Sequence, residues 1–134
     1  MKPIKVFVDS DVIISSLLSS TGAAYLLINT KSVIKYITDF SLKEINIVGK
    51  RLGIKQTAID RLVNQLTVIR LNKDFGKKYV TDTHDSHIVS GAVTAKAKFL
   101  LTYNLKHFQI EMIKRDYNIL VYRPAQFLQY LRSQ

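Results

Sequence analysis

The chain has 134 residues, of which 47% are hydrophobic and 10% aromatic, a composition that supports one folded domain over 1–134 and excludes an intrinsically disordered chain. It contains no cysteine, which excludes a disulfide framework and thiolate metal sites and is compatible with a reducing cytoplasm. Twenty lysines and arginines against ten acids give a formal charge of +10, which favours a polyanionic partner, nucleic acid in particular, over an acidic protein.

The first element in chain order is a strand over 4–8, in the apolar run IKVFV. This run reaches Asp9 too early to be a signal peptide, and no apolar run approaches the roughly 20 residues of a membrane span. We therefore expect a soluble, cytoplasmic protein without membrane contact. Apolar periodicity and glycine positions predict the next elements: a helix over 12–28 that Gly22 interrupts, a strand over 33–37, a helix over 41–52 that Gly53 ends, and a helix over 54–66.

The second half of the chain continues the alternation of strands and helices. The predicted elements are a strand over 67–71, a loop over 72–83, a helix over 85–95, strands over 99–102 and 119–122, and a last helix that Pro124 opens. This alternation predicts an α/β fold with a central, mostly parallel sheet of about five strands flanked by helices. Ligands of such sheets bind beyond the carboxyl ends of the strands.

Carboxylates lie at or just after several of the predicted element boundaries, although acids are scarce in the chain. The acids at these positions are Asp9, Asp11, Glu44, Asp82 and Asp85. A cluster of oxygen ligands suits Mg²⁺ or Mn²⁺, which bind one or two carboxylates and retain water. Such a metal can activate a water and neutralise charge on a phosphodiester. The pattern therefore favours a metal site, provided that folding brings these acids together.

The acid-bearing segments VFVDSDVIISSLL, SLKEINIVGKRL and TDTHDSHIVSGAVTAKAKFLLTYNLKHF follow one another along almost the whole chain. In this order they resemble the PIN-domain family of metal-dependent ribonucleases. The resemblance implies that Asp9 after strand one, Glu44 after strand two and Asp85 before strand four are catalytic metal ligands. The ending FLLTYNLKHF resembles the family's T-x-D run, which places Thr102 at the site and Asn104 among the catalytic residues.

Two positions depart from the family pattern. Asp11 stands where the family usually has asparagine, and Asn104 replaces the fourth family acid. An amide can coordinate a metal or position a water but adds no negative charge, so Asp11 or Asp82 is expected to compensate. Ser10 and Thr102 are expected to support the site by orienting the acids or binding phosphate.

The resemblance also implies the fold and the partners. It implies a PIN-like, Rossmann-like three-layer fold and an endoribonuclease that uses Mg²⁺ or Mn²⁺ to cleave single-stranded or structured RNA, held by basic residues on the rim. The short chain and the extended loop before Asp85 resemble the toxins of prokaryotic toxin–antitoxin pairs. The implied protein partners are a cognate antitoxin that blocks the groove and a second copy of the chain.

Each acid also has a structural interpretation. The run Ser41-Leu42-Lys43-Glu44 fits a capping box, which would explain Glu44 by backbone hydrogen bonding. Asp82 and Asp85 can cap the next helix, a role favoured for Asp82, whereas Asp85 is expected to bind metal. Asp11 is expected to cap a helix or assist the metal ligands. Of the remaining polar residues, Tyr103 is expected to pack in the core rather than stack on a base.

Two alternatives from other functional classes stay open. The run IVGKRLGIKQTAIDRLVNQL has the small–glycine–aliphatic order of a helix-turn-helix, which would place Lys55, Gln56, Thr57 and Arg61 at a DNA major groove. Packing of two helices explains the same residues more simply, and the DNA-binding interpretation leaves Asp9 and Asp85 without a function. The second alternative is a PIN-like domain that binds RNA or protein without catalysis, for which Asn104 is the main argument.

Overall fold

The computed structural model describes residues 2–134, and its centre is a five-stranded sheet with the order β3-β2-β1-β4-β5. The strands are β1 (Ile4–Val8), β2 (Val33–Thr38), β3 (Thr67–Ile69), β4 (Phe99–Leu101) and β5 (Leu120–Tyr122). All four pairings between neighbouring strands are parallel. The predicted α/β fold with a mostly parallel sheet of about five strands is therefore confirmed.

Seven α-helices accompany the sheet within the described part of the chain. They are α1 (Ser10–Leu18), α2 (Ala23–Ile28), α3 (Asp39–Arg51), α4 (Gln56–Val63), α5 (Ser86–Thr94), α6 (Ile110–Tyr117) and α7 (Pro124–Arg132). Short 3₁₀ helices lie at Lys77–Tyr79, Thr83–Asp85 and Leu105–His107. Because parallel strands are joined by crossover helices, such a sheet is covered on both faces.

The central strand β1 shows how the sequence divides the core between the two faces. Successive side chains of a strand point to opposite faces, so Val6 and Val8 join one apolar cluster and Phe7 joins the other. The cluster around Val6 contains residues of α1, α2, α3, α4 and α7, and the cluster around Phe7 contains residues of α5 and α6. Gly91 of α5 lies so close to the Phe7 ring that a Cβ atom there would be 2.6 Å from it. The helix that begins beside Asp85 is therefore held directly against β1.

The helix predicted over 12–28 is broken, as expected, at Gly22, which is the N-cap of α2. The capping box predicted at Ser41–Glu44 is wrong, because α3 begins earlier, at Asp39. Its N-cap is Thr38, whose hydroxyl accepts a hydrogen bond from the Ser41 amide at 3.0 Å. Glu44 is left without a capping role and is available for other contacts.

The helix α6 was not predicted from the sequence. Its apolar side chains occur at Ile110, Ile113 and Tyr117, a spacing of three and four residues that is typical of a helix with one buried face. The helix ends at Asn118, which adopts a left-handed conformation with φ of 56°. The two strands flanking this helix were predicted, so the omission does not change the order of the sheet.

The helix pair α3 and α4, which contains the predicted helix-turn-helix run, is explained by packing. Gly53 turns the chain between the two helices with a φ of 76°, a conformation that glycine adopts without strain. A Cβ atom on Gly49 would lie 2.7 Å from Ile59 Cδ1, so glycine allows the helices to pack closely. Within residues 2–134, no helix combines the length and the apolar character needed to cross a membrane.

Candidate functional site

Two neighbouring strands, β1 and β4, end side by side and bring together residues far apart in sequence. Val8 pairs with Leu101, so the next residues, Asp9 and Thr102, are adjacent. The Asp9 amide donates to the Leu101 carbonyl at 2.9 Å, and the Thr102 hydroxyl donates to Asp9 Oδ2 at 2.9 Å. Both side chains are buried, and Thr102 is completely inaccessible. The parallel register thus places a buried carboxylate at the carboxyl edge of the sheet.

Asp11, in the first turn of α1, is the second carboxylate of this group. Its Oδ2 accepts hydrogen bonds from the Tyr103 amide at 3.0 Å and from Asn104 Nδ2 at 3.1 Å, and a long one from the Thr102 hydroxyl at 3.5 Å. Its Oδ1 is buried and has no hydrogen-bond partner, the only such side-chain oxygen or nitrogen in residues 2–134. A buried carboxylate oxygen without a partner is costly unless a cation or water satisfies it.

The crowding of these carboxylates changes their pKa values. Burial, the neighbouring charge of Asp11 and that of Asp85 raise the pKa of Asp9 from 3.8 to about 7, although the hydrogen bond from Thr102 opposes the rise. Burial also raises the pKa of Asp11. Without a nearby cation, Asp9 therefore holds a proton well above the pH at which an exposed aspartate loses it. A bound cation would favour the ionised form of both groups.

Glu44 of α3 reaches the same region from the other side of α1. The Ser10 hydroxyl donates a short hydrogen bond to Glu44 Oε1. Ser10 is buried and directly follows Asp9, so this contact ties the exposed Glu44 side chain to the residue next to the buried carboxylate. The sequence placed both residues at the site, and the structure brings them into contact.

Asp85 lies just before α5 and faces Asp9 and Asp11 across the site. It occupies the N-cap position of α5 without a side-chain cap, and its Oδ2 is 3.1 Å from His107 Nδ1. Burial raises the pKa of Asp85, whereas the nearby His107 lowers it. Asp82 has the capping geometry that the sequence favoured, since its carboxylate accepts a hydrogen bond from the His84 amide at 3.0 Å.

These side chains line one open cavity of about 340 Å³ at the carboxyl edge of the sheet, which we call the acidic cavity. Its polar lining consists of Asp9, Ser10, Asp11, Glu44, Asp82, Asp85, Asn104 and His107. Every site residue predicted from the sequence lines this cavity except Thr102, which is buried behind Asp9 and holds it. Within the described chain, no three acidic or histidine side chains are close enough to form a complete metal-binding group by themselves.

The fit to a divalent cation rests on the two best-placed carboxylates. Asp9 and Asp11 share the hydroxyl of Thr102, and Asp11 has an oxygen that no protein group satisfies. Mg²⁺ is commonly bound by one or two carboxylates and keeps several waters, so it does not require three converging acids from the protein. The donor set consists of oxygen atoms and therefore suits a hard cation.

One residue of the acidic cavity, His107, was not predicted as a site residue. It follows β4 in the run NLKHF, and only its proximity to Asp85 reveals its place. The expectation that Tyr103 packs in the core is wrong, because 37% of its surface is exposed. His87 makes a separate contact, with the Thr38 hydroxyl at 2.9 Å.

Comparisons with known proteins identify a family and a similar fold. A family model described as PIN domain matches residues 5–106, which include every predicted site residue. Among solved structures, a chain from the crystal structure of VapBC2 from Rickettsia felis bound to a DNA fragment from their promoter superposes with a TM-score of 0.61. It is 17% identical and the match covers 88% of this chain and 97% of that chain, so the likeness is one of fold. No curated protein sequence matches the chain.

Proposed function

Because the chain belongs to the PIN domain family, whose members are generally metal-dependent nucleases, we propose that it is an endoribonuclease that cleaves single-stranded RNA. The observation that carries the proposal is the pair Asp9 and Asp11. One is a buried carboxylate with a pKa of about 7, and the other has a buried oxygen without a partner. Both properties are expected of carboxylates that bind a cation.

The carboxylates of Asp9 and Asp11 would hold Mg²⁺ or Mn²⁺, with Glu44 and Asp85 as further ligands through water or directly. When bound, the cation polarises the scissile phosphate and lowers the pKa of a water that can attack it. Thr102 keeps Asp9 in place through its hydroxyl, and Ser10 does the same for Glu44. Asn104 fixes Asp11 through its side-chain amide, so it orients an acid rather than replacing one.

On the opposite wall, His107 and Asp85 act as a pair. The hydrogen bond between them orients the Asp85 carboxylate toward the acidic cavity. Since Nδ1 of His107 is engaged with Asp85, Nε2 is the ring nitrogen available to contact an RNA phosphate at the rim. Asp82 shapes this wall by capping the backbone that leads to Asp85.

RNA is proposed as the substrate because of the charge that surrounds the acidic cavity. Five of the ten acids of the chain line that cavity, whereas the twenty lysines and arginines are spread over the remaining sequence. Lys43 and Lys106 are exposed directly beside Glu44 and His107 in sequence and are suited to hold phosphates at the rim. We also propose that the protein acts in the cytoplasm, where an RNA substrate would be accessible to it.

A protein partner is proposed in addition to RNA. The sequence resembles the toxins of toxin–antitoxin pairs, and the fold resembles a chain of the VapBC2 complex. Leu18, Leu26 and Ile47 are each more than half exposed and offer apolar surface to an antitoxin or to a second copy of the chain. Light scattering of the purified protein, alone and co-expressed with a candidate antitoxin, tests this part of the proposal.

The direct test is cleavage of a mixed pool of single-stranded RNA by purified protein with Mn²⁺, with Mg²⁺ or with EDTA. We expect cleavage with metal and none with EDTA. Asp9→Asn removes the charge of the buried carboxylate while nearly preserving its shape and should abolish cleavage. Asp60→Asn is the matched control, because Asp60 is exposed on α4 and does not line the acidic cavity.

Cleavage by the Asp9→Asn protein at the parent rate would contradict the assigned role of Asp9. Folded protein that binds RNA but cuts it with neither metal would instead identify a binding-only member of the family. Metal-dependent cleavage by the parent and by Asp60→Asn, but not by Asp9→Asn, would support the proposal.

A further inference from the structure

A second cavity lies at the opposite, amino edge of the sheet, and lysines dominate its rim. It has a volume of about 420 Å³, and its lining includes Lys2, Lys5, Lys96 and Lys98. Lys5 lies in β1 and Lys98 immediately precedes β4, and the Lys98 amide donates to the Lys5 carbonyl at 2.9 Å. The backbone thus fixes the spacing of two of the four lysines. We call this cavity the lysine cavity.

No protein carboxylate neutralises the lysine cavity. Its lining contains no acid, and the only close contacts between basic and acidic side chains within residues 2–134 are those of His107 with Asp85 and of Arg115 with Asp116. Like charges converging on one cavity repel one another, and an anion bound there would relieve the repulsion. The chemistry of this surface is complementary to phosphate groups.

The backbone conformation of Lys96 is a second, independent observation. Lys96 follows α5 and has a φ of 57°, the left-handed conformation that usually falls to glycine after a helix. Only one other non-glycine residue in the described chain has a positive φ, Asn118, and asparagine tolerates that conformation well. A lysine therefore occupies a position at which glycine would be less strained, and this lysine lines the lysine cavity.

Apolar residues also line the lysine cavity. They are Pro3, Ile4 and Tyr130, and the Tyr130 ring packs on Phe99 with ring centroids 4.8 Å apart. A cavity that combines apolar and aromatic residues with lysines suits an unpaired nucleotide, whose base and sugar can contact the apolar residues while its phosphates contact the lysines.

We propose that the lysine cavity binds a single-stranded segment of RNA at a distance from the site of cleavage. Lys5 lies in β1, four residue steps before Asp9, so the two are about 13 Å apart along the strand, at about 3.3 Å per residue. A long RNA can therefore occupy both cavities, whereas a very short one reaches only one of them. The proposal rests on the proposed function in one respect, that RNA is the nucleic acid bound.

The test is binding of a long, labelled single-stranded RNA in EDTA, which prevents cleavage, over a series of salt concentrations. The variant is the triple substitution Lys5→Gln, Lys96→Gln and Lys98→Gln. For single strands, each phosphate contact contributes about 0.7 to the slope of log affinity against log salt, so the triple variant should lose about 2 from that slope. Affinity should fall together with the slope.

The matched control removes the same charge from elsewhere on the surface, with Lys31→Gln, Lys50→Gln and Lys55→Gln. These lysines are exposed and line neither the acidic nor the lysine cavity. We expect a clearly smaller loss of slope in the control. An equal loss in both triple variants would overturn the proposal, because binding would then depend on net charge alone. An unchanged slope in the first triple variant would also overturn it.

A single substitution, Lys96→Gly, separates binding from folding. Glycine adopts the left-handed conformation without strain, so the melting temperature should stay the same or rise. RNA affinity should nevertheless fall, because one cation is lost from the lysine cavity. A purely structural role for Lys96 predicts the reverse pattern, and unchanged RNA affinity in this variant would contradict the proposal.

Substrate length distinguishes failure of this proposal from failure of the proposed nuclease function. The triple variant at the lysine cavity should cleave a trinucleotide as fast as the parent but should show a higher KM for long RNA. Equal KM values of the parent and the triple variant for long RNA would overturn the proposed RNA binding at the lysine cavity but would not affect the proposed nuclease function. If the triple variant instead loses binding only to a poly-glutamate peptide, the surface belongs to an acidic protein and the RNA proposal fails.

Discussion

Two groups of residues in this molecule combine aspartate carboxylates with hydroxyl donors, but the pKa values of their aspartates shift in opposite directions. Asp74, in the loop before α5, accepts hydrogen bonds from the Ser86 hydroxyl at 2.5 Å, the Ser90 hydroxyl at 2.8 Å and the Gly76 amide at 3.1 Å. Burial alone would raise the pKa of Asp74, but these hydrogen bonds hold it below its usual value. The cluster around Asp74 is therefore satisfied by the protein, and it fastens the loop to α5.

The cluster of Asp9 and Asp11 also combines carboxylates with a hydroxyl, that of Thr102, yet it is not satisfied. Burial and mutual repulsion raise the pKa of Asp9 to about 7, and Asp11 Oδ1 has no partner. The comparison with Asp74 teaches that hydroxyl donors near a carboxylate do not by themselves indicate its role. A carboxylate whose oxygens accept hydrogen bonds from the protein stabilises the fold, whereas a buried carboxylate with an oxygen that lacks a partner is suited to bind a ligand.

The largest expected difference between the clusters is in catalysis. Asp11→Asn should lower the metal-dependent rate of RNA cleavage about 10–100-fold, because it removes a charge from the carboxylate pair. Asp74→Asn should change the rate much less, since Asp74 does not line the acidic cavity. Initial rates at saturating Mn²⁺ measure both effects. Comparable losses in the two variants would mean that the acidic cavity is not the site of chemistry.

The second expected difference is in stabilisation by metal. A cation that binds only the folded protein stabilises it by about 2.7 kcal/mol at a concentration of 100 times its dissociation constant. Thermal denaturation with and without Mn²⁺ should show this stabilisation in the parent and in Asp74→Asn. It should be absent in Asp9→Asn, and full stabilisation of that variant would place the metal elsewhere.

The third expected difference is in the stability of the protein without metal. Asp74→Ala leaves the buried hydroxyls of Ser86 and Ser90 without their acceptor and should cost about 1–3 kcal/mol of unfolding free energy. Asp60→Ala, on an exposed surface, should stay within about 0.5 kcal/mol of the parent. Urea denaturation in EDTA measures both values, and a negligible cost for Asp74→Ala would contradict its fastening role.

The last expected difference is a pH dependence of opposite sign in the two clusters. The pKa of Asp9 is about 7 in the folded protein and near 3.8 when unfolded, so stability in EDTA should fall as pH rises from about 4 to about 7. One such proton changes the unfolding free energy by at most about 1.4 kcal/mol per pH unit. The pKa of Asp74 is lowered on folding, so its contribution is present above about pH 4 and is lost as pH falls further.

Urea denaturation over a pH series separates these contributions. Asp9→Asn should reduce the fall between about pH 4 and pH 7, to which Asp11 and Asp85 also contribute, whereas Asp74→Asn should reduce only the loss on the acid side. Identical pH profiles for the parent and Asp9→Asn would show that folding does not shift the pKa of Asp9.

Much of the fold could be predicted from the sequence, because the signals involved are local. The run from Ile4 to Val8 marks β1, and the alternation of strands with helices indicates a parallel sheet. The helix α6 was missed, although its apolar spacing is visible, because it lies in a short polar stretch between two stronger signals. The capping box at Glu44 failed because Thr38, three residues before Ser41, caps the helix instead.

The sequence by itself determined which side chains are available at the carboxyl edge of the sheet, since acids following strands can be recognised one at a time. Only the tertiary structure decided what each one does. Thr102 meets Asp9 across 93 positions because β1 and β4 are neighbours in register, and His107 reaches Asp85 because the chain turns back after β4. The hydrogen bonding of a carboxylate depends on such distant partners, so the sequence alone could not show that Asp74 accepts three hydrogen bonds while Asp11 Oδ1 has no partner.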